Sequence, residues 1–301
     1  MYNGLINVYK EPGFTSFDVV AVLRGILRQK KIGHTGTLDP AAEGVLLVCL
    51  GSGTKLVDML ENRDKEYECR MLLGTTTDTE DTTGQVLETK EVNCNEEQIR
   101  EVVKHFIGEI DQIPPMYSAI KKDGKKLYEL AREGKEVVRE ARKITIYEIS
   151  VDKIELPYVT MTIKCGKGTY IRSLCRDIGK QLGCGACMEH LKRTKVSYFG
   201  EAQSLKLSQI EKIAKEERIS EYVLPVESVF EKYEALHVKT EAKKYIDNGN
   251  PLEIKDVITD FEKPVNDELY KVYNAEGKFV AIYRFDEDKN LYMPKKMFLD
   301  E

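Results

Sequence analysis

The sequence predicts an α+β protein, with a mixed, largely antiparallel sheet, flanking helices and a small β-rich domain at the end. Three observations carry this. Helix-like and strand-like segments follow one another without the regular βαβ rhythm of a parallel sheet. The stretch from Pro114-Pro115 to about Lys143 interrupts the pattern as an excursion from the main core. After Leu224-Pro225 the texture changes to short β segments around a single short helix, as after a linker.

The elements follow in order. Leu5 to Tyr9 reads as a strand that ends at the Pro12-Gly13 turn. Ser16 is the expected N-cap of a helix carrying Phe17, Val20, Leu23 and Leu27 on one side. Val45 to Leu50 is a continuous apolar run of strand length, expected to be buried on both faces. Lys55 to Leu60 reads as a short helix, and Tyr67 to Leu73 alternates as a strand closed by Gly74. Asn95 caps a helix whose Ile99, Val102, Val103 and Phe106 form an apolar stripe. A short helical pattern surrounds Leu127 and Leu130 inside the excursion. Val159 to Cys165 is a further strand, and Tyr170 to Leu182 a helix with Arg172 near its start. The tail from about Ala235 carries a helix over Glu241 to Asp247 and strands at Leu269 to Tyr273 and Phe279 to Tyr283.

A chain of 301 residues can bury a sizeable core, as one large domain or two smaller ones. The first residues lack a basic-plus-apolar signal and no apolar run reaches membrane-spanning length, so a cytoplasmic protein without membrane contact is expected. Seven cysteines scattered through ordinary segments suggest reduced thiols. The formal net charge of −5 argues weakly against nucleic acid, but a whole-chain sum hides local patches. Lys121-Lys122-Asp123-Gly124-Lys125-Lys126 is strongly basic, and Arg132, Lys135, Arg139, Arg142 and Lys143 follow it. A solvated charged hairpin would account for such a run equally well.

The chemistry-bearing segment is Gly33-His34-Thr35-Gly36-Thr37-Leu38-Asp39-Pro40, which leads through Ala41 to Gly44 into the buried run. Gly33, Gly36 and Gly44 favour unusual backbone angles, and Pro40 restricts Asp39 to an extended conformation. A carboxylate on a stiff turn beside a buried strand is costly, and such cost concentrates at active sites. Three further polar clusters stand out: Lys65-Glu66-Tyr67 at a strand entry, the turn-like Thr77 to Gly84, and Lys167 to Ser173 leading into a helix. Each has an ordinary structural explanation when taken alone. Gly51-Ser52-Gly53-Thr54-Lys55 and Gly166-Lys167-Gly168-Thr169 lack phosphate-loop spacing. Cys184-Gly185-Ala186-Cys187 is a lone C-x-x-C, short of the four ligands of a structural zinc.

Together the clusters resemble one family, the bacterial tRNA pseudouridine-55 synthases of the TruB type. The matching stretches are Gly33 to Pro40, Lys65-Glu66-Tyr67, Thr77-Asp78-Thr79, Ile113 to Ala119, Gly124 to Tyr128, Lys167 to Arg172 and Leu182 to Ala186. They span roughly residues 4 to 230. The resemblance implies a pseudouridine-synthase fold over 1–230 with an RNA-binding insertion at about 114–143, and a PUA-like RNA-binding domain over 231–301. It also implies isomerisation of a T-loop uridine of tRNA at position 55, by base flipping and aspartate-dependent cleavage and re-formation of the glycosidic bond. Such a reaction needs no redox cofactor and no metal.

Residue by residue, the resemblance makes Asp39 the essential aspartate and Arg172 its paired cation. Tyr67 becomes the tyrosine that stacks on the target uracil, with a phenol near the proton at C5. Tyr170 and Leu191 line the pocket, and His34 contacts RNA where the target base has left its stack. Lys125 and Lys126 lie on the insertion expected to close over the T-arm and neutralise phosphates. Attack at C1′, attack at C6 and elimination at C2′ remain equally open for Asp39. A monomer acting on the tRNA T-arm without guide RNA is expected. The alternatives are a guide-RNA-dependent pseudouridine synthase and a tRNA-folding chaperone using the same surface.

Overall fold

The computed structural model describes residues 1–299. In chain order the first half comprises β1 (Gly4–Lys10), α1 (Ser16–Leu27), β2 (Ile32–His34), β3 (Glu43–Leu50), α2 (Val57–Glu61), β4 (Lys65–Leu73), the hairpin β5 (Thr75–Thr77) and β6 (Val86–Thr89), α3 (Glu96–Lys104) and β7 (Gly108–Gln112). The excursion holds a second hairpin, β8 (Lys121–Lys122) and β9 (Lys125–Lys126), and a short α4 (Leu127–Arg132). Then come β10 (Arg142–Glu155), β11 (Tyr158–Cys165), α5 (Ile171–Leu182), β12 (Ala186–Val196), β13 (Phe199–Gly200) and α6 (Leu207–Lys215). The tail adds β14 (Ala235–Val238), α7 (Lys243–Asp247), β15 (Leu252–Glu253), β16 (Val257–Ile258), β17 (Leu269–Tyr273), β18 (Phe279–Asp286) and β19 (Leu291–Met297).

The main sheet runs β1-β3-β12-β4-β11-β10-β7, with β2 beside β3 and β13 beside β12. Every pairing is antiparallel except β3 with β12. The predicted α+β class with a largely antiparallel sheet is therefore the observed one. The β3–β12 junction matters most, because it brings the end of the Asp39 segment beside the strand bearing Leu191. Gly44 makes that junction possible: its φ is +106°, and a Cβ there would lie 2.3 Å from the Arg193 carbonyl oxygen. Only glycine fits so close an approach.

Helices α3 and α5 cover the β4–β12 half of the sheet, burying Ile99, Val103, Leu174 and Ile178 against Met71, Ile163 and Met188. Helices α1 and α6 cover the β1–β3 half through Val20, Leu23, Ile210 and Ile213. The tail forms its own six-stranded sheet, ordered β15-β19-β18-β17-β14-β16. Its Ile282 and Phe298 share a core with Leu5, Cys49 and Phe230. The connection expected to be a linker is anchored: Leu224 exchanges two backbone hydrogen bonds with Leu5, and Val226, Val229 and Phe230 are buried.

Three local expectations are corrected. Thr15, not Ser16, caps α1, in a reciprocal box in which Thr15 Oγ1 accepts from the Asp18 N–H and Asp18 accepts from the Thr15 N–H. Phe17 is 64% exposed, and Val19 takes the core position instead. Gly33 lies in β2 with an ordinary backbone, so it serves as a small strand residue and not as a turn residue. The other boundaries shift by a few residues. The predicted helix at Lys55 to Leu60, for example, is a 3-10 turn at Gly51–Leu56 running into α2.

Candidate active site

Asp39 sits in the loop between β2 and β3, and the chain around it is held from several sides. The Ser16 hydroxyl, freed from capping duty, accepts from the Leu38 N–H at 2.9 Å and donates to the Leu38 carbonyl at 3.3 Å. The Gly13 N–H donates to the Pro40 carbonyl. Lys10, at the end of β1, is fully buried and donates to the carbonyls of Glu11, Pro40 and Ala42 at 3.2, 3.2 and 2.5 Å. Burial pulls the Lys10 ammonium down to about 8, with the Asp39 charge opposing the shift. These bonds satisfy backbone groups of an irregular, partly buried loop and fix its path.

Arg172, in the first turn of α5, meets the Asp39 carboxylate with its fork. Nε lies 2.9 Å from Oδ2, and Nη2 lies 3.1 Å from Oδ1. The Arg172 side chain is 6% exposed, whereas the Asp39 side chain keeps 35% of its surface open. Two further donors are used: Nη2 donates to the Tyr117 carbonyl at 2.9 Å and Nη1 to the Thr79 carbonyl at 3.0 Å. Crowding by protein raises the Asp39 carboxyl above its ordinary 3.8, and Arg172 pulls it back. The arrangement presents a carboxylate gripped at both oxygens by Arg172, with part of its side chain still open to solvent.

Tyr67, on β4, is buried with Leu38, Ala42 and Leu191 in one apolar cluster. Burial pushes its phenol above the tyrosine range, while the neighbouring Arg193 guanidinium opposes. Arg193 is itself buried, donating to the carbonyls of Val45 and Gly36. Tyr170 is the residue before α5, and the side chain of buried Gln112 clamps its backbone: the Tyr170 N–H donates to Oε1 at 2.9 Å and Nε2 donates to the Tyr170 carbonyl at 3.1 Å. His34 ends β2, and burial together with the Arg193 charge lowers its pKa, so the ring is neutral at neutral pH.

Asp39, Arg172, Tyr67, Leu191 and Tyr170 therefore gather around the junction of β3, β4, β12 and α5, with His34 on the adjoining strand. Lys125 and Lys126 do not join this group. They form one side of the insertion hairpin, where Lys125 pairs with Glu133 at 3.1 Å and the Lys126 ammonium lies 5.4 Å over the Tyr128 ring. Sequence reasoning missed Lys10, Ser16 as a loop anchor, Gln112, Arg193 and Asp81. Asp81 Oδ1 organises the Thr77–Gly84 turn by accepting from Thr79 and Thr83, while Oδ2 lies 3.8 Å from Arg172. The turn itself was read from the sequence, but not that Asp81 organises it. The buried Lys10 and Arg193 had no such signal, because most of their partners are carbonyls distant in sequence. Among the described residues no cluster of His, Cys, Asp and Glu suits a metal ion, all seven cysteines are free, and no helix is long and apolar enough to cross a membrane.

The chain matches known proteins over most of its length. The TruB family pseudouridylate synthase N-terminal domain matches residues 24–171, and the tRNA pseudouridylate synthase B C-terminal domain matches residues 172–231. A relative named tRNA pseudouridine synthase B from Lachnoclostridium phytofermentans is 51% identical, covering 99% of this chain and 100% of its own. One of the same name from Clostridium tetani is 47% identical, covering 93% and 94%. Among solved structures, a chain of the Cbf5-Nop10-Gar1 complex superposes with a TM-score of 0.74 at 30% identity, over 99% of this chain and 85% of that one. A chain of an H/ACA RNP bound to a substrate RNA containing 2′-deoxyuridine gives 0.74 at 27% identity, over 98% and 85%. With matched domains over most of its length and half its residues shared with a full-length relative, the chain belongs to the TruB family of pseudouridylate synthases.

Proposed function

We propose that this enzyme converts the T-loop uridine at position 55 of tRNA to pseudouridine, acting alone on the T-arm. The observation that carries the reading is the Asp39–Arg172 pair, a partly exposed carboxylate gripped by a buried arginine between the walls formed by Tyr67, Tyr170 and Leu191. Family membership makes the chain an isomerase that forms pseudouridine. Its relatives at 51% and 47% identity, named as tRNA enzymes, support tRNA as the substrate.

The reaction balances within the substrate. The N1–C1′ bond breaks, the uracil turns in its pocket, C5 bonds to C1′, and the proton lost from C5 is matched by one gained at N1. The enzyme must flip the base, keep the cleaved uracil and supply an ionised carboxylate. Asp39 is that carboxylate, and attack at C1′, attack at C6 or proton removal at C2′ would all start from the same ionised oxygen. Tyr67 stacks on the uracil; its raised pKa keeps the phenol protonated. Tyr170 and Leu191 close the apolar sides, and neutral His34 contacts the RNA at the vacated stack.

The insertion at 114–143, with Lys125 and Lys126, supplies phosphate contacts that offset unstacking, which costs on the order of a few kcal/mol. The division into a catalytic domain over 1–230 and a PUA-like RNA-binding domain over 231–301 belongs to the same reading. So do action as a cytoplasmic monomer and independence of guide RNA. Incubating the purified protein with unmodified tRNA alone tests it. Pseudouridine at a single T-loop position is expected, and none without added guide RNA would favour the guide-dependent alternative. Asp39→Asn separates catalysis from a chaperone role, because a chaperone would keep its full effect.

A further inference from the structure

One turn of α5 beyond Arg172 lies a second arginine with a parallel set of partners. Residues four apart share a helix face, and Arg172 and Arg176 both reach the Thr77–Gly84 turn. Arg172 takes the Thr79 carbonyl at 3.0 Å, and Arg176 Nη1 donates to the Glu80 carboxylate. Both also hold the root of the insertion: Arg172 through the Tyr117 carbonyl at 2.9 Å and Arg176 through the Ile113 carbonyl at 3.1 Å.

Glu80 joins these two rungs. Its side chain is 9% exposed, and its second oxygen accepts from the hydroxyl of Ser173, the fully buried neighbour of Arg172, at 2.6 Å. Its backbone is held as well. The Met188 N–H on β12 donates to its carbonyl at 3.0 Å, and its φ is +64°, a left-handed conformation that costs a non-glycine residue energy. A long acidic side chain kept in that conformation and fully partnered is over-determined by its surroundings, as strained residues beside active sites are.

We propose that Glu80, with Ser173 and Arg176, is a positioning cluster for catalysis. It locks the turn so that the Thr79 carbonyl faces Arg172 and holds the insertion root at the spacing that lets Arg172 bond Tyr117 and Asp39 together. Glu80 thereby sets the orientation of the Arg172 fork, and the insertion that closes on RNA is mechanically tied to the Asp39 carboxylate. The inference rests on the reading of Asp39 and Arg172 as catalytic.

The experiment is a double-mutant cycle on single-turnover pseudouridine formation with unmodified tRNA, below the melting temperature of every variant. In the parent background, Glu80→Gln is expected to slow the chemical step at least about tenfold while changing the tRNA Kd less than about twofold. In an Arg172→Lys background, where the fork is already lost, the same change is expected to cost less than about twofold, the non-additivity of a coupled pair. An equal penalty in both backgrounds, or an unchanged rate in Glu80→Gln, overturns the proposal. If Glu80→Gln does not fold, Ser173→Ala removes one bond of the cluster and must show the same pattern on a smaller scale. Parent protein that forms no pseudouridine at all would instead refute the catalytic reading itself.

Discussion

Arg172 and Asp39 lie 133 residues apart in sequence yet meet through two separate nitrogen–oxygen contacts, at 2.9 and 3.1 Å. The guanidinium does more than balance charge. Its side chain is nearly fully buried, and two further N–H groups end on the carbonyls of Thr79 and Tyr117, so its plane is fixed before substrate arrives. A planar fork pre-set in this way orients a carboxylate as a lysine cannot.

This pairing predicts a pH signature. On the proposed reading Asp39 acts in its ionised form, and crowding raises its pKa above 3.8 despite Arg172. The single-turnover rate should therefore rise with pH along an acid limb lying above the ordinary aspartate value. Arg172→Met removes the opposing cation, so the limb moves further toward neutrality. The variant's loss should be greater at mildly acidic than at mildly alkaline pH. An acid limb that stays in place in the variant would show that another group controls it.

Tyr67 supplies a ring and a protonated phenol, and the two can be separated. Tyr67→Phe keeps the stacking surface and is expected to bind tRNA as the parent does while reacting more slowly. Tyr67→Leu should lose both, because base–aromatic stacking contributes about 1–3 kcal/mol per base. Single-turnover rates measured beside binding isotherms decide, and a Tyr67→Phe variant with the parent's rate would confine the residue to stacking.

The loop anchors should behave as a rate device. Ser16→Ala deletes both bonds to Leu38 and leaves the Thr15 cap in place. A loss of stability of about 1–3 kcal/mol is expected from the unsatisfied Leu38 N–H, together with a slower chemical step at unchanged tRNA affinity. Denaturant unfolding and single-turnover assays check the two halves. A destabilised variant with full rate would show that Asp39 does not depend on this anchor.

Lys125 and Lys126 are expected to meet phosphate. Replacing both with Ala should weaken tRNA binding and flatten the dependence of log K on log salt by up to about 1.4–1.8 in slope, the value for two neutralised phosphates. Glu133 competes for Lys125 in the free protein, so Glu133→Gln should tighten binding at low salt. An unchanged slope in the double variant would remove the hairpin from the phosphate-binding surface.

Much of this arrangement was legible in the chain, for reasons that can be named. The apolar run at Val45 to Leu50 has the length and composition of a buried strand, and it lies in β3. Asn95 with Gln98 three residues on forms the capping box expected of a helix start. Asp39 stood out through its glycine-rich, proline-followed setting. Its partner did not, since no periodicity connects residues 133 apart; only the resemblance joined them. The choice between Thr15 and Ser16 as cap was invisible because both are good caps, and the tertiary demand of Leu38 for a hydroxyl settles it. Lys10 and Arg193 were unreadable for a similar reason. Strands carry charged residues routinely, at their ends like Lys10 or within them like Arg193, and nothing local shows that these two point inward at backbone carbonyls.

The most direct test of the central claim is mass-spectrometric mapping of pseudouridine in unmodified tRNA treated with the purified enzyme or with Asp39→Asn, alongside tRNA binding by both. The account predicts one pseudouridine, at the T-loop position, with the parent enzyme. With the variant it predicts none, at nearly unchanged affinity. Normal turnover by Asp39→Asn would contradict it.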